Sequence, residues 1–244
     1  DANAGLCAER VVKYMEDLQR NHNVHTLAPN TLIMNSVLHA WSKSGDPMAG
    51  ERTEQLLLHM EAQYRDGKYE IQTNTRTYGL VLASWAKSEN SDKTRKAYNI
   101  LQLMEKTSKT NCNVQRNVHC CNAVINAAAF TEGGLDKRSD AFYVASLILE
   151  ELVKYDTIPP VSSSFGTYLK ACGKLSLPRD LVEPCMEKAW NDCKRLGLVN
   201  EFVLKQMWLS TSPEQYQRLM GELKCDTRKV ELSDIPAEWK EKIL

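Results

Sequence analysis

The fold is decided by a stretch of sequence that occurs twice. Residues 31–44 read TLIMNSVLHAWSKS, and residues 75–88 read TRTYGLVLASWAKS. The two copies are 44 residues apart, share Thr, Val, Leu, Trp, Lys and Ser at the same places, and are both preceded by Asn. Weaker copies occupy residues 118–130 and 162–174. Because one apolar pattern returns four times at nearly constant spacing, the chain is predicted to consist of internal repeats.

Each copy has the apolar spacing of a helix. In the first copy the apolar positions are Met34, Val37, Leu38 and Trp41. A polar break and a second amphipathic segment follow each copy, so every unit is predicted to be a first helix and a second helix. Such a pair cannot bury its apolar face alone, and stacked neighbours supply the missing partner. The expected fold class is all-α, a right-handed α-solenoid of antiparallel helix pairs.

The repeat predicts the organisation of the whole chain. A helical array is expected over residues 1–223, followed by a C-terminal tail at 224–244 that is either a strap packed on the array or disordered. The parts of the array are a lone second helix at 6–21, units at about 30–73, 74–116, 117–160 and 161–197, and a capping pair at 198–223. The lone helix is matched to the first unit by aligning residues 8–10 with 50–52. Since the chain starts in mid-repeat, we expect a fragment or processed form without its targeting segment.

Composition excludes several classes of function. Lys plus Arg and Asp plus Glu both number 31, so the net charge gives no whole-chain argument for nucleic acid or an anionic membrane. The eight cysteines include no C-x-x-C, which suits neither a zinc site nor a disulfide framework. Cys120, Cys121 and Cys172 fall among apolar helix positions and are expected to be buried free thiols. No membrane span, metal, cofactor or catalytic residue is predicted.

The first helix of each unit has a particular layout. In the first unit it runs Asn30-Thr31, Met34-Asn35, Val37-Leu38 and Ala40-Trp41-Ser42-Lys43. This layout resembles the opening helix of pentatricopeptide repeat proteins, and the Trp before Lys resembles divergent members from unicellular algae. The resemblance covers about residues 6–210. It implies binding of single-stranded RNA, one nucleotide per repeat, without catalysis. It also implies a role in RNA processing, stability or translation in the mitochondrion or chloroplast.

The resemblance implies which residues read the bases. A polar residue early in the first helix acts together with the residue that precedes the next repeat. Carried over to this sequence, the base-reading residues are Asn35, Asn74, Asn117 and Asn122. Asn35 pairs with Asn74, an Asn–Asn combination of the kind that favours pyrimidines, and a carboxamide has the donors and the acceptor for this task. Asn117 would act with Gly79, which has no side chain. The alternative for Asn35 and Asn122 is that they are solvated or bonded to a neighbouring backbone.

The resemblance also implies phosphate contacts from a lysine late in the first helix. Lys43, Lys87 and Lys174 occupy that place, whereas the third copy has Phe130. A lysine repeated on one face would form a basic stripe despite zero net charge. The alternative is that these lysines complement the negative end of the helix dipole. Trp41 and Trp85 are expected to lie in the core rather than to stack on bases.

A protein-interaction scaffold is the rival interpretation of the same repeats. The missing side chain at Gly79 and the zero net charge favour a scaffold, alone or within a ribonucleoprotein, whereas the recurring Asn and Lys favour RNA. The deaminase signature H-x-E…C-x-x-C is absent from the sequence. The expected partners are single-stranded RNA from an organellar transcript and, in the rival interpretation, proteins; the sequence does not predict an oligomeric state.

Overall fold

The computed structural model describes residues 3–22, 28–155, 157–223 and 229–241. Over these residues the chain is all-helical, as predicted, and its β structure amounts to one isolated bridge between Val199 and Lys240. No helix among them is long and apolar enough to cross a membrane. The chain divides into two compact units, residues 1–127 and 128–244.

The first unit is a stack of neighbouring helices. Its helices are α1 Ala4–His22, α2 Thr31–Ser44, α3 Ala49–Arg65, α4 Thr75–Lys87, α5 Lys93–Ser108 and α6 Val118–Ala129, the last of which reaches the boundary of the unit. The first helices α2 and α4 contact each other. In addition α2 contacts α1 and α3, and α4 contacts α3 and α5. Each of these two first helices therefore lies against the second helices before and after it, as expected for stacked helix pairs.

Five α-helices lie among the described residues of the second unit. They are α7 Leu135–Lys154, α8 Ser162–Lys174, α9 Arg179–Arg195, α10 Glu201–Ser210 and α11 Pro213–Met220. Here α8 contacts α7 and α9, and it contacts α10 more extensively than either. Close approach of α8 and α10 requires glycine, because a Cβ on Gly166 would overlap the Phe202 ring and one on Gly173 would overlap Ser210. Since α10 packs on α8, it takes the place of a first helix.

Part of the predicted tail packs on the second unit. Val199 N–H donates to the Trp239 carbonyl at 2.8 Å, and Glu241 N–H donates to the Val199 carbonyl at 3.0 Å. The Trp239 ring meets the Trp190 ring edge-on at 6.3 Å between centroids, and Ile235 is buried. These contacts fasten the segment to α9 and to the residue before the N-cap of α10. Residues 224–228 and 242–244 of the tail lie outside the described residues.

Asparagine begins four of the first helices for a structural reason. The side-chain oxygens of Asn30, Asn74 and Asn200 each accept the backbone N–H three residues on, at 3.0 Å. Asn117 accepts the N–H of Cys120 in the same way, also at 3.0 Å. Such N-caps satisfy backbone donors that a helix start otherwise leaves without partners. The Asn that precedes each of the first three copies therefore has a folding role, whereas the fourth copy follows Val161, which forms no side-chain cap bond.

The repeated tryptophans form the core between successive pairs. Trp41 and Trp85 are 2% and 0% exposed, which confirms their predicted place. Each indole packs on a glycine of the preceding second helix: a Cβ on Gly5 would overlap the Trp41 ring, and one on Gly50 would lie 2.8 Å from Trp85 Cε3. No larger residue fits at either position without moving a buried indole.

A carboxylate and a cation complete the surroundings of each tryptophan. Trp41 Nε1 donates to Glu9 at 2.7 Å, Arg52 pairs with Glu9, and the Arg52 guanidinium lies 5.9 Å from the centroid of the Trp41 ring. One unit later, Lys96 Nζ lies 5.7 Å from the Trp85 centroid and 3.8 Å from Glu54. We call this arrangement a tryptophan seat; the first consists of Gly5, Glu9, Trp41 and Arg52, and the second of Gly50, Glu54, Trp85 and Lys96.

The seats correct the predicted register of α1. The alignment of residues 8–10 with 50–52 is wrong by three residues, because Gly5 corresponds to Gly50 and Glu9 corresponds to Glu54. The short Glu-Arg similarity suggested the wrong match. The contacts that the indole makes with the preceding helix fix the correct one.

Candidate nucleic-acid interface

The structure brings together the first predicted base-reading pair. Asn35 Nδ2 donates to Asn74 Oδ1 at 3.4 Å, although the two residues belong to different first helices. Thr77 Oγ1 donates to Asn35 Oδ1 at 2.8 Å and also lies 3.1 Å from Asn74 Oδ1. Asn35 is only 5% exposed. The two carboxamides are therefore held in fixed orientations where α2 and α4 meet.

A cavity of about 330 Å³ adjoins this pair. It lies between the N-terminal halves of α2 and α4, and its lining consists of Thr31, Leu32, Asn35, Ser36, Asn74 and Arg76. Leu32 is 70% exposed, and Arg76 is exposed as well. The cavity thus combines two amides with an apolar side chain and a guanidinium. A polar, planar ring such as a nucleobase can use all three, since both apolar side chains and guanidinium planes stack on bases.

The two amides offer mainly donors to this cavity. The Asn74 side-chain oxygen already accepts hydrogen bonds from the Thr77 N–H and from Asn35 Nδ2. Among the described residues no protein group accepts from Asn74 Nδ2, and Asn35 Nδ2 uses one of its two hydrogens. A ligand in the cavity therefore meets N–H groups, and it needs acceptor atoms on its edge.

The other two predicted asparagines lie on or next to α6. Asn117 is the N-cap of α6, and Asn122 is half-buried within that helix. At Gly79, the partner expected for Asn117, an added Cβ would meet no atom within 4 Å. The second predicted site therefore has open space where the first has a carboxamide.

Lys87 binds the C-terminal end of the neighbouring helix α2. Its Nζ donates to the Ser42 carbonyl in the last turn of α2 at 2.8 Å, as expected of a charge that complements a helix dipole. Burial and the nearby Lys43 ammonium lower the pKa of Lys87. Lys43 itself is exposed. Lys43 is eight residues beyond Asn35 on α2, so this pair of charges is about 12 Å along the helix from the cavity.

Lys174 belongs to a cluster that sequence reasoning did not find. Lys174 Nζ lies 4.4 Å from the centroid of the Phe130 ring, and Lys170 Nζ lies 4.2 Å from the same point. Phe130 is 36% exposed. The i, i+4 spacing of the two lysines on α8 was the available signal, because such residues share a helix face.

The described residues contain no group of three His, Cys, Asp or Glu that could hold a metal ion. Burial raises the pKa of Cys120 to about 11 and that of Cys193 to about 12, so these thiols stay protonated and behave as small apolar side chains. Burial likewise raises the pKa of Tyr168, which lines a second cavity of about 380 Å³ between α7, α8 and α9. Its hydroxyl lies 2.9 Å from that of Ser146.

Comparison of the chain with protein-family models, with curated proteins and with solved structures finds no match in any of the three. The resemblance to pentatricopeptide repeats therefore depends on the residues and contacts of this chain alone.

Proposed function

We propose that this chain binds single-stranded RNA and that the cavity between α2 and α4 holds one of its bases. The observation that carries the proposal is the contact between Asn35 and Asn74 on the lining of that cavity. In this proposal the chain is a right-handed α-solenoid of pentatricopeptide type. It acts on an organellar transcript, in the mitochondrion or chloroplast, by occupying it and without chemistry of its own.

The orientation of Asn74 supports base recognition. Because its oxygen is held by the helix cap, its amide N–H groups are available before any ligand arrives, which reduces the entropy lost on binding. N–H groups pair with carbonyl oxygens, and uracil carries two of them. We therefore infer a preference for pyrimidines, with uracil above cytosine. Leu32 and Arg76 line the same cavity, and in this proposal they cover the faces of the base.

Local charge supports contact with the backbone of the RNA. Lys43 and Lys87 form one pair of cations, and Lys170 and Lys174 form another. Each pair concentrates positive charge at one point, and neutralising phosphates at such points releases counterions, which drives binding. A net charge of zero is compatible with this, because the attraction is local.

Asn74→Asp is expected to weaken binding of an oligouridine of about eight nucleotides by roughly tenfold, or about 1.4 kcal/mol. The new carboxylate keeps the cap oxygen but replaces the amide donors with an acceptor that repels carbonyl and phosphate oxygens. Stability should not fall, because Asp caps helices as well as Asn does. Fluorescence anisotropy with oligouridine, oligocytidine and oligoadenosine measures the affinities.

Asn30→Asp is the matched control. Asn30 caps α2 with the same geometry but does not line the cavity, so its variant has the same change of charge and of cap. We expect its affinity to stay within about twofold of the wild type. Equal losses in the two variants would contradict the cavity as a base site. If the wild type binds none of the three oligomers, RNA binding is wrong and the protein-interaction scaffold is favoured.

Gly79→Asn is expected to create a second base site and to tighten binding of oligouridine by about threefold to tenfold, the value of one ordinary hydrogen bond. The position is open, and Asn117 stands where Asn74 stands one unit earlier. Gly79→Ala, which fills the same space without a carboxamide, should leave the affinity unchanged. The same anisotropy titration compares the two, and equal affinities would contradict the assignment of this position to base reading.

A further inference from the structure

An exposed aromatic ring with two ammonium groups stands outside the cavity described above. We call Phe130, Lys170 and Lys174 the Phe130 cluster. Phe130 follows the last residue of α6, and the two lysines lie one turn apart near the end of α8. Both Nζ atoms are within 4.4 Å of the ring centroid. The third copy of the repeat thus has an aromatic ring where the other copies have lysine, and two cations approach it.

The lysines of this cluster carry positive charges that no acid among the described residues pairs with. Among the described residues neither Lys170 nor Lys174 forms an ion pair, and Glu132, two residues beyond Phe130, makes none either. Like charges at i, i+4 destabilise a helix. Burial and the Lys174 charge also lower the pKa of Lys170. The fold therefore tolerates a local repulsion that an anion would relieve.

The ring retains the ammonium groups only weakly. Cation–π contacts at exposed sites stabilise much less than a charge-assisted hydrogen bond to a phosphate oxygen. A phosphate that approached the two lysines would draw them from the ring and leave its face uncovered. An exposed aromatic face beside phosphate-binding lysines is the arrangement by which proteins hold single-stranded nucleic acid.

We propose that the Phe130 cluster is a stacking site for single-stranded RNA, in which a base stacks on Phe130 and the adjoining phosphates bind Lys170 and Lys174. This inference rests on the proposed function, and it adds a contact that depends on no particular base. Stacking accepts every base because each has a π face. An acidic or phosphorylated peptide would use the same lysines but would have no need of the ring.

The test uses the full 244-residue chain with oligouridine and with an abasic sugar–phosphate oligomer of the same length. Phe130→Leu is expected to weaken oligouridine binding at least fivefold and to leave the abasic oligomer unaffected. Phe130→Tyr keeps the ring and should keep the affinity. Oligouridine carrying 5-iodouridine, irradiated on the protein, should cross-link to the peptide that contains Phe130, as identified by mass spectrometry.

The lysines are tested by the salt dependence of binding. The double variant Lys170→Gln/Lys174→Gln should reduce the slope of log affinity against log salt by about 0.7 per lysine. Lys106→Gln/Lys109→Gln removes the same charge from exposed positions at the end of α5 and is the matched control. We expect the control to leave the slope unchanged. Circular dichroism establishes that each variant is folded.

The outcomes separate this inference from the proposed function. If Asn74→Asp weakens binding whereas Phe130→Leu and the lysine variant do not, the Phe130 cluster is no RNA contact and the cavity stands. If the lysine variant weakens both oligomers equally and Phe130→Leu changes neither, stacking is wrong. If a phosphopeptide competes with oligouridine for the wild type and not for the lysine variant, while Phe130→Leu binds RNA normally, a protein partner replaces RNA here. Failure of the wild type to bind oligouridine overturns both proposals.

Discussion

Trp85→Ala is expected to lower the free energy of unfolding by about 3–5 kcal/mol, the usual cost of removing a buried aromatic side chain. The indole is fully buried, packs on Gly50 and is covered by Lys96. Its removal would leave a void where α3, α4 and α5 meet. In a chain of this size the thermal midpoint should fall by about 6–20 °C, and urea titration followed by circular dichroism measures the free energy.

Phenylalanine variants separate the volume of the indole from its hydrogen bond. Trp85 Nε1 has no protein acceptor among the described residues, whereas Trp41 Nε1 donates to Glu9 at 2.7 Å. Trp41→Phe should therefore cost more than Trp85→Phe by about 1 kcal/mol, the net value of one hydrogen bond. A loss below about 1 kcal/mol for Trp85→Ala would mean that the second tryptophan seat contributes little to the core.

Gly50→Ala is expected to destabilise the chain by about 1–3 kcal/mol, although alanine is the better helix former by about 1 kcal/mol. The added Cβ would lie 2.8 Å from Trp85 Cε3 and 3.0 Å from Cδ2, both in a fully buried ring. The chain must then separate α3 from α4. Thermal and urea unfolding measure the loss.

Gly79→Ala is the matched control for Gly50→Ala. Gly79 is also helical, and its added Cβ would meet nothing within 4 Å. This variant should be as stable as the wild type or more stable by up to about 1 kcal/mol, because only the helix propensity changes. If Gly50→Ala is stabilised to the same extent, Trp85 moves freely and the seat does not require glycine.

Much of the fold is predictable because local signals agree. The apolar period and the Asn before the first two copies predict helices that begin at Thr31 and Thr75, where α2 and α4 begin. The start of α7 at Leu135 is harder to predict. Its N-cap is Gly134, which forms no side-chain cap bond, so the sequence contains no signal there.

The candidate site was predictable only in part. The repeat predicts that Asn35 and Asn74 act as a pair, and in the structure Asn35 donates a hydrogen bond to Asn74. Their capping network with Thr77 and the cavity beside them depend on how α2 and α4 approach each other, which no local pattern contains. The contact between Lys170 and Phe130 was not predictable for the same reason, because the two residues lie far apart in sequence and meet only through helix packing.

The two tryptophan seats share helix α3. Helix α3 supplies Arg52 to the first seat and Gly50 to the second, from positions two residues apart. If α1 unfolds locally, Trp41 loses its contacts with Gly5 and Glu9. Trp85 keeps the other residues of its seat, because none of them lies on α1. If α3 unfolds locally, both indoles become exposed to solvent. Local unfolding of α1 is therefore expected to disrupt only the first tryptophan seat, whereas local unfolding of α3 disrupts both seats.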